Sequence, residues 1–330
     1  MTKQSASGSR FVSKRYTNFS AIVEDMTAGN LKASFILAPL AMVLNRKGVP
    51  VKIVHLGHRD GTTMVVRTDS PYRTFADLRG KKVAIPHRFS NQRILVEKLK
   101  ERAGFAEGDV TLVDFPPPEM PAALKTGQID AFIVGEPFPA KTEIEGYGRV
   151  LYFTKDIWPG FISCVLVVHE SLVREDRAIV EELVKGIAES GMWIDAPGED
   201  LAAGVAEAKD VLPGTPGRDE LALIPDGFGK THRMQAAVIA ARREHYNQDP
   251  ELLKFVLSQP PDRVRYVDLL PARAEFEEIQ RYAEKLGYFS FRPVTPADPF
   301  GFDDYCDPSF AVAAHAAPAA AKPGAAGAGR

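Results

Sequence analysis

Residues 110–139, VTLVDFPPPEMPAALKTGQIDAFIVGEPFP, read as one strand, helix, strand unit with a loaded turn at each end. Residues 110–115 are a β-branched run that stops at Pro116, Pro117 and Pro118, which have no N–H to continue a ladder and a φ suited to a turn. Residues 119–126 then carry Met120, Ala123 and Leu124 at helical spacing, and Gly127 follows as a C-cap. Residues 129–134 are apolar without alternation, the pattern of a strand covered on both faces of a parallel sheet. That strand ends at Gly135-Glu136-Pro137, and ligands of open α/β sheets sit at such carboxyl ends.

Outward from this unit the chain keeps an α/β rhythm. A helix is predicted over 20–28, a strand over 33–37, a helix from Ala38-Pro39 to Leu44 and a strand over 49–56. Further strands are expected at 61–67, 82–85, 150–153 and 162–168, with a helix at 90–102. The C-terminal part reads as helical, at 174–193, 201–212, 230–247, 249–258 and 271–286, interrupted by a Pro/Gly-rich loop at 213–229. From Ala311 the chain is mostly Ala, Pro and Gly, too poor in large apolar groups to offset its ordering entropy.

The 330 residues are 45% hydrophobic and 25% charged, enough material for two domains. Lys and Arg number 41 against 43 Asp and Glu, so no polybasic footprint for nucleic acid is present. No apolar run approaches the roughly 18 residues of a membrane span, and MTKQSASGSR lacks the apolar core of a secretory signal. Cys164 and Cys306 form neither a disulfide framework nor a metal knot. GxSxG, HExxH and GxxxxGK[ST] are missing, so no catalytic residue is expected and the chain reads as a non-enzyme.

PPPEM followed by ALKTGQIDAFIVGEPF resembles the matching segment of solute-binding proteins that serve ABC importers for nitrate, bicarbonate, taurine and alkanesulfonates, the triple proline pointing to the nitrate and bicarbonate branch. LKASFILAPLAMVL and GKKVAIPHRFSNQRILVEKL resemble the same family in the same order, so the similarity covers roughly residues 10–290. The resemblance implies a type II periplasmic-binding-protein fold, with two α/β lobes joined by two crossover strands and a helical C-terminal part. Lobe one would comprise 10–66 and 161–290, lobe two 67–160, and 291–330 an extended, disordered tail. The strands at 61–67 and 162–168 are expected to lie side by side as the hinge. In the family an initial strand and helix come before residue 11, so lobe one is expected to be incomplete at its N-terminus, with strands 33–37 and 51–56 short of a neighbour.

The implied function is capture of a small oxyanion or sulfonate for ABC permease subunits, in the periplasm or anchored to a membrane. A cytosolic anion sensor acting on a regulator is the alternative on the same fold, and a thiamine-pyrimidine synthase-like enzyme a more distant one. Three turns are candidate ligand sites. His87, Arg88, Ser90 and Asn91 surround a helix N-terminus, where free N–H groups, the helix dipole and a cation favour an anion. The competing reading makes Ser90 or Asn91 an N-cap and Arg88 a solvated charge; the resemblance places Ser90 and Asn91 at the ligand. Nitrate binders resemble one another in a His where Ser90 stands, which points away from nitrate. Thr62 offers a hydroxyl at the second turn, while His58, Arg59 and Asp60 just before it are expected in a solvated loop. Ala38 and Pro39 hold the corresponding turn of lobe one, with Tyr16 and Phe161 as candidate aromatic walls. Glu136, at the third turn, needs a compensating cation. The resemblance to bicarbonate binders implies calcium as one possibility, and an ion pair to His87 or Arg88 is the other. No cofactor besides that calcium is implied.

Overall fold

The computed structural model describes residues 11–195 and 262–316, together with 252, 255–257 and 259–260. The helices expected at 201–212, 230–247 and most of 249–258, the loop at 213–229 and the tail beyond 316 lie outside the described residues.

In chain order the described elements are α1 (Phe19–Thr27), β1 (Ala33–Ile36), α2 (Ala38–Arg46), β2 (Val51–Asp60), β3 (Thr62–Arg67), β4 (Lys81–Ile85), α3 (Asn91–Arg102), β5 (Val110–Asp114), α4 (Met120–Lys125), β6 (Ala131–Gly135), α5 (Phe138–Ile144), β7 (Gly148–Phe153), β8 (Ile162–His169), α6 (Glu170–Glu175), α7 (Arg177–Asp195), β9 (Val264–Arg265), α8 (Arg273–Lys285), α9 (Phe302–Tyr305) and α10 (Ser309–His315). They build two sheets, one of order β1-β8-β2-β9 and one of order β5-β4-β6-β3-β7. In the second sheet β4 pairs parallel with both β5 and β6, as the 110–139 unit predicts, and β3 enters antiparallel between β6 and β7.

Period-two alternation explains how each sheet is covered on both faces. Met64, Val66, Val83 and Ile85 pack with Leu95 and Leu99 of α3, whereas Val65, Ala84 and Phe132 pack with Met120 and Leu124 of α4. In the first sheet Ile53, Val165 and Val167 join α2 and α8, while Val54, Leu166 and Val168 meet Val180, Val184 and Phe310.

The two sheets are linked where β2 runs straight into β3 through Asp60 and Gly61, and where β7 returns to β8. Gly61 has φ +59°, and a Cβ there would stand 2.8 Å from His58 Nδ1 and 3.1 Å from Val264 Cγ1. Only glycine passes without strain. Its N–H donates to the Arg263 carbonyl and its carbonyl accepts from the Glu136 N–H, each at 2.8 Å.

Four expectations are corrected. Strands 61–67 and 162–168 do not pair: β3 and β8 belong to different sheets, and it is β2 that pairs antiparallel with β8 while Thr62 and Ser163 meet only at the strand ends. β1 and β2 do not lack a neighbour, because β8 lies between them and β9 flanks β2. His58, Arg59 and Asp60 are not a solvated loop; they end β2, with Arg59 paired to Glu275 and Asp60 to Arg265, both buried. Residues 291–316 are not an extended tail. Buried Arg46 donates to the carbonyls of Arg292, Pro293, Asp298 and Pro299, and Phe300, Phe302, Tyr305 and Phe310 enter the core. Those four aromatics, all ahead of the alanine-rich stretch that begins at Ala311, supply the apolar area that anchors the segment.

Candidate functional site: the first turn of α3 at the crossovers

Pro86 follows β4 and cannot extend its ladder, so the chain turns through 87–89 into α3. Ser90 caps this 12-residue helix: its backbone is extended and its hydroxyl accepts the Arg93 N–H at 3.0 Å. A cap leaves the remaining first-turn amides and the positive end of the dipole available. Asn91 and Gln92 are each 1% exposed. Asn91 Nδ2 donates to the carbonyl of Ile162, the first residue of β8, and Gln92 Nε2 reaches Thr62 Oγ1, the first residue of β3, at 3.4 Å. Thr62 Oγ1 lies 3.0 Å from Ser163 Oγ. The first turn of a helix from one sheet is thereby seated on both chain crossings to the other.

Three side chains of that turn keep unused hydrogen-bonding capacity. Asn91 Oδ1, Gln92 Oε1 and Arg93 Nε are buried and have no partner among the described residues. The Arg93 guanidinium stands 5.7 Å from the Tyr288 ring centroid, and among the described residues no carboxylate forms an ion pair with it. The other arginines at the junction are committed, Arg59 to Glu275, Arg265 to Asp60 and Arg263 to Glu136 and Glu143.

Of the residues singled out in the sequence, Thr62, Ser90 and Asn91 come together here. Glu136 does not. Thr62 and Thr63 are consecutive in a strand and face opposite ways; Thr63 Oγ1 donates to Glu136 Oε1 at 2.8 Å, on the far side from Thr62. Glu136 Oε1 also accepts from Arg263 Nε at 2.6 Å, and Oε2 accepts the Ala140 N–H at 3.1 Å. Burial pushes the Glu136 carboxyl upward while Arg263 opposes it. The ion-pair reading of Glu136 holds, with Arg263 as partner in place of His87 or Arg88. The calcium reading meets a carboxylate with both oxygens engaged, and among the described residues no group of three or more His, Cys, Asp or Glu is arranged to hold a metal.

His87 is half-buried, its Nδ1 accepting the Phe89 N–H at 3.0 Å, with its ring 6.5 Å from Phe19 and 5.5 Å from Phe89. Burial pulls its pKa down, which favours the neutral ring, while Asp114 opposes it. Arg88 is exposed over Phe89. Ala38 and Pro39 form the buried first turn of α2. Phe161 is core, 5.8 Å from the Trp158 ring, and Tyr16 donates to Asp25 beside Lys14. Gln92, Arg93, Ser163 and Arg263 were missed. A helix that starts at Ser90 has Gln92 and Arg93 in its first turn, which is their signal in the sequence; Arg263, distant in sequence, carries none.

The NMT1-like family model matches residues 7–208, more than half of the chain. Among curated proteins, the taurine-binding periplasmic protein of Escherichia coli is 27% identical over 183 residues, covering 52% of this chain and 55% of that protein. The nitrate import ATP-binding protein NrtC of Synechocystis is 28% identical over 196 residues, covering 54% of this chain and 29% of that one. The chain thus spans from under a third to about half the length of these relatives. Among solved structures, the periplasmic nitrate-binding protein NrtA of Synechocystis superposes with a TM-score of 0.70 at 15% identity, covering 91% of this chain and 78% of the other. The desulfurization enzyme DSZB superposes with a TM-score of 0.53 at 14% identity, covering 86% and 84%, so the fold is shared by binding proteins and an enzyme. These likenesses establish the α/β periplasmic-binding-protein fold, and the match over residues 7–208 shows that the chain belongs to the NMT1-like family.

Proposed function

We propose that the protein is the solute-binding component of an ABC importer, capturing a small oxyanion or sulfonate without chemical change between two lobes, each built on one sheet. The observation that carries this reading is Arg93: a guanidinium in the first turn of a 12-residue helix, free of any carboxylate among the described residues, with a buried Nε that lacks an acceptor. An orphaned charged donor beside the positive end of a helix is completed by an anion. Relatives whose names specify taurine, aliphatic sulfonates and nitrate support the class of ligand, and permease subunits in a periplasmic setting are the partners this role entails. Ser90 supports the site as a cap, Thr62 and Asn91 as part of the junction, and Glu136 by fixing the turn after β6 through Arg263.

Calorimetric titration of the full chain with nitrate, bicarbonate, taurine and ethanesulfonate, each with and without chelator, tests the reading. Saturable binding of at least one of them, indifferent to chelator, is expected. Binding of none overturns it, and binding abolished by chelator overturns the metal-free site.

A further inference from the structure

From the two buried carbonyl oxygens beside Arg93 we infer that the ligand carries a hydrogen-bond donor as well as its negative charge, and that Asn91 and Gln92 read that donor. The inference rests on the anion-capture reading and narrows it to a compact solute that joins a negative group to an N–H or O–H donor, such as an amino-sulfonate. The orientation of Asn91 is fixed by its neighbour: the Ile162 carbonyl accepts only from an NH₂, so Nδ2 must face it and Oδ1 must face away. Gln92 has Nε2 turned to Thr62 Oγ1, a hydroxyl that can pair with either end of an amide, so Asn91 is the one whose orientation its neighbour fixes. Both acceptors are consecutive in the chain, 1% exposed as residues and without a partner. Leaving a buried acceptor unmet is costly, and a site built around such groups discriminates against ligands that cannot meet them. Arg93 supplies the complementary orphan donor one residue further on. Three successive side chains therefore present two acceptors and a cation, a set that an anion without donors satisfies only in part.

The test compares ligands of nearly the same shape. Taurine and propanesulfonate share the sulfonate and differ by an ammonium in place of a methyl; bicarbonate and nitrate are both trigonal and differ by one O–H. Calorimetry on the full chain should give at least about tenfold tighter binding for the donor-bearing member of whichever pair binds. In Gln92→Met, which keeps length and removes the acceptor, that ratio should fall toward one. Equal or tighter binding of propanesulfonate or nitrate in the wild type overturns the inference while leaving anion capture intact, and would mean that buried water meets the two carbonyls. Binding of neither pair overturns both.

Discussion

Replacing Arg263 by Met removes the cation from the most buried ion-pair network described here. The Arg263 side chain is 1% exposed and that of Glu136 is 4%. Its Nε serves Glu136, Nη2 serves Glu143, and Nη1 donates to the Gln259 carbonyl at 2.9 Å. Methionine of similar length keeps contact with Phe153 and Phe255, whose rings lie 5.3 and 5.4 Å from the guanidinium, so the loss is electrostatic more than steric. Taking one partner from a buried pair costs about 3–5 kcal/mol. Glu136 would respond by holding its proton, because burial already raises its pKa and Arg263 is the largest opposing influence. A carboxyl whose pKa is higher folded than unfolded binds the extra proton in the native state. Stability then falls as pH rises through that interval. The deficit of Arg263→Met, read from urea midpoints, should be smaller near pH 5 than near pH 8, and adding Glu136→Gln should recover part of it. A loss under about 1 kcal/mol that does not change with pH would mean that Arg263 does not hold Glu136 in its charged form.

Three further outcomes are expected. His55 Nε2 and His315 Nε2 lie 2.9 Å apart in rings only 5° from parallel with centroids 5.2 Å apart, which places them edge to edge. Burial lowers His55 to about 4, so the unfolded chain binds the extra proton first and stability should fall by up to about 3 kcal/mol from pH 7 to pH 4; His55→Gln should flatten that part of the urea-midpoint profile. Gly61→Ala should cost about 1–3 kcal/mol in the same assay, through its positive φ and the 2.8 Å approach to His58. Ser90→Ala should lower stability by about 1 kcal/mol through loss of the cap on Arg93 N–H.

The two sheets were legible because local chemistry and tertiary position agreed. The triple proline, Gly127 and the unbroken apolar run at 129–134 each allow one arrangement, and β4, β5 and β6 adopt it. Sheet assignment at the crossovers was not legible: an apolar strand records that it is covered, not which neighbour covers it, and so β2, not β3, turned out to be the partner of β8. The same limit hid the fate of 291–316, where a few aromatics anchor a segment whose composition suggests disorder. At the candidate site, Thr62 was readable from the turn before its strand, while Ser90 and Asn91 were placed there by the family resemblance. The partner of Glu136 was not legible, because Arg263 arrives from 127 residues away, whereas Arg93 follows Asn91 by two residues and lay within reach of the same reading.

In the proposed site the first turn of α3 holds the anion through Arg93. Comparing the calorimetric affinity of wild type and Arg93→Met for the tightest-binding member of the anion panel tests it directly. A hydrogen bond to a charged group is worth about 1.5–3 kcal/mol, so the substitution should weaken binding by about 10- to 150-fold while the urea midpoint changes little. Unchanged affinity in a folded Arg93→Met protein would contradict the account.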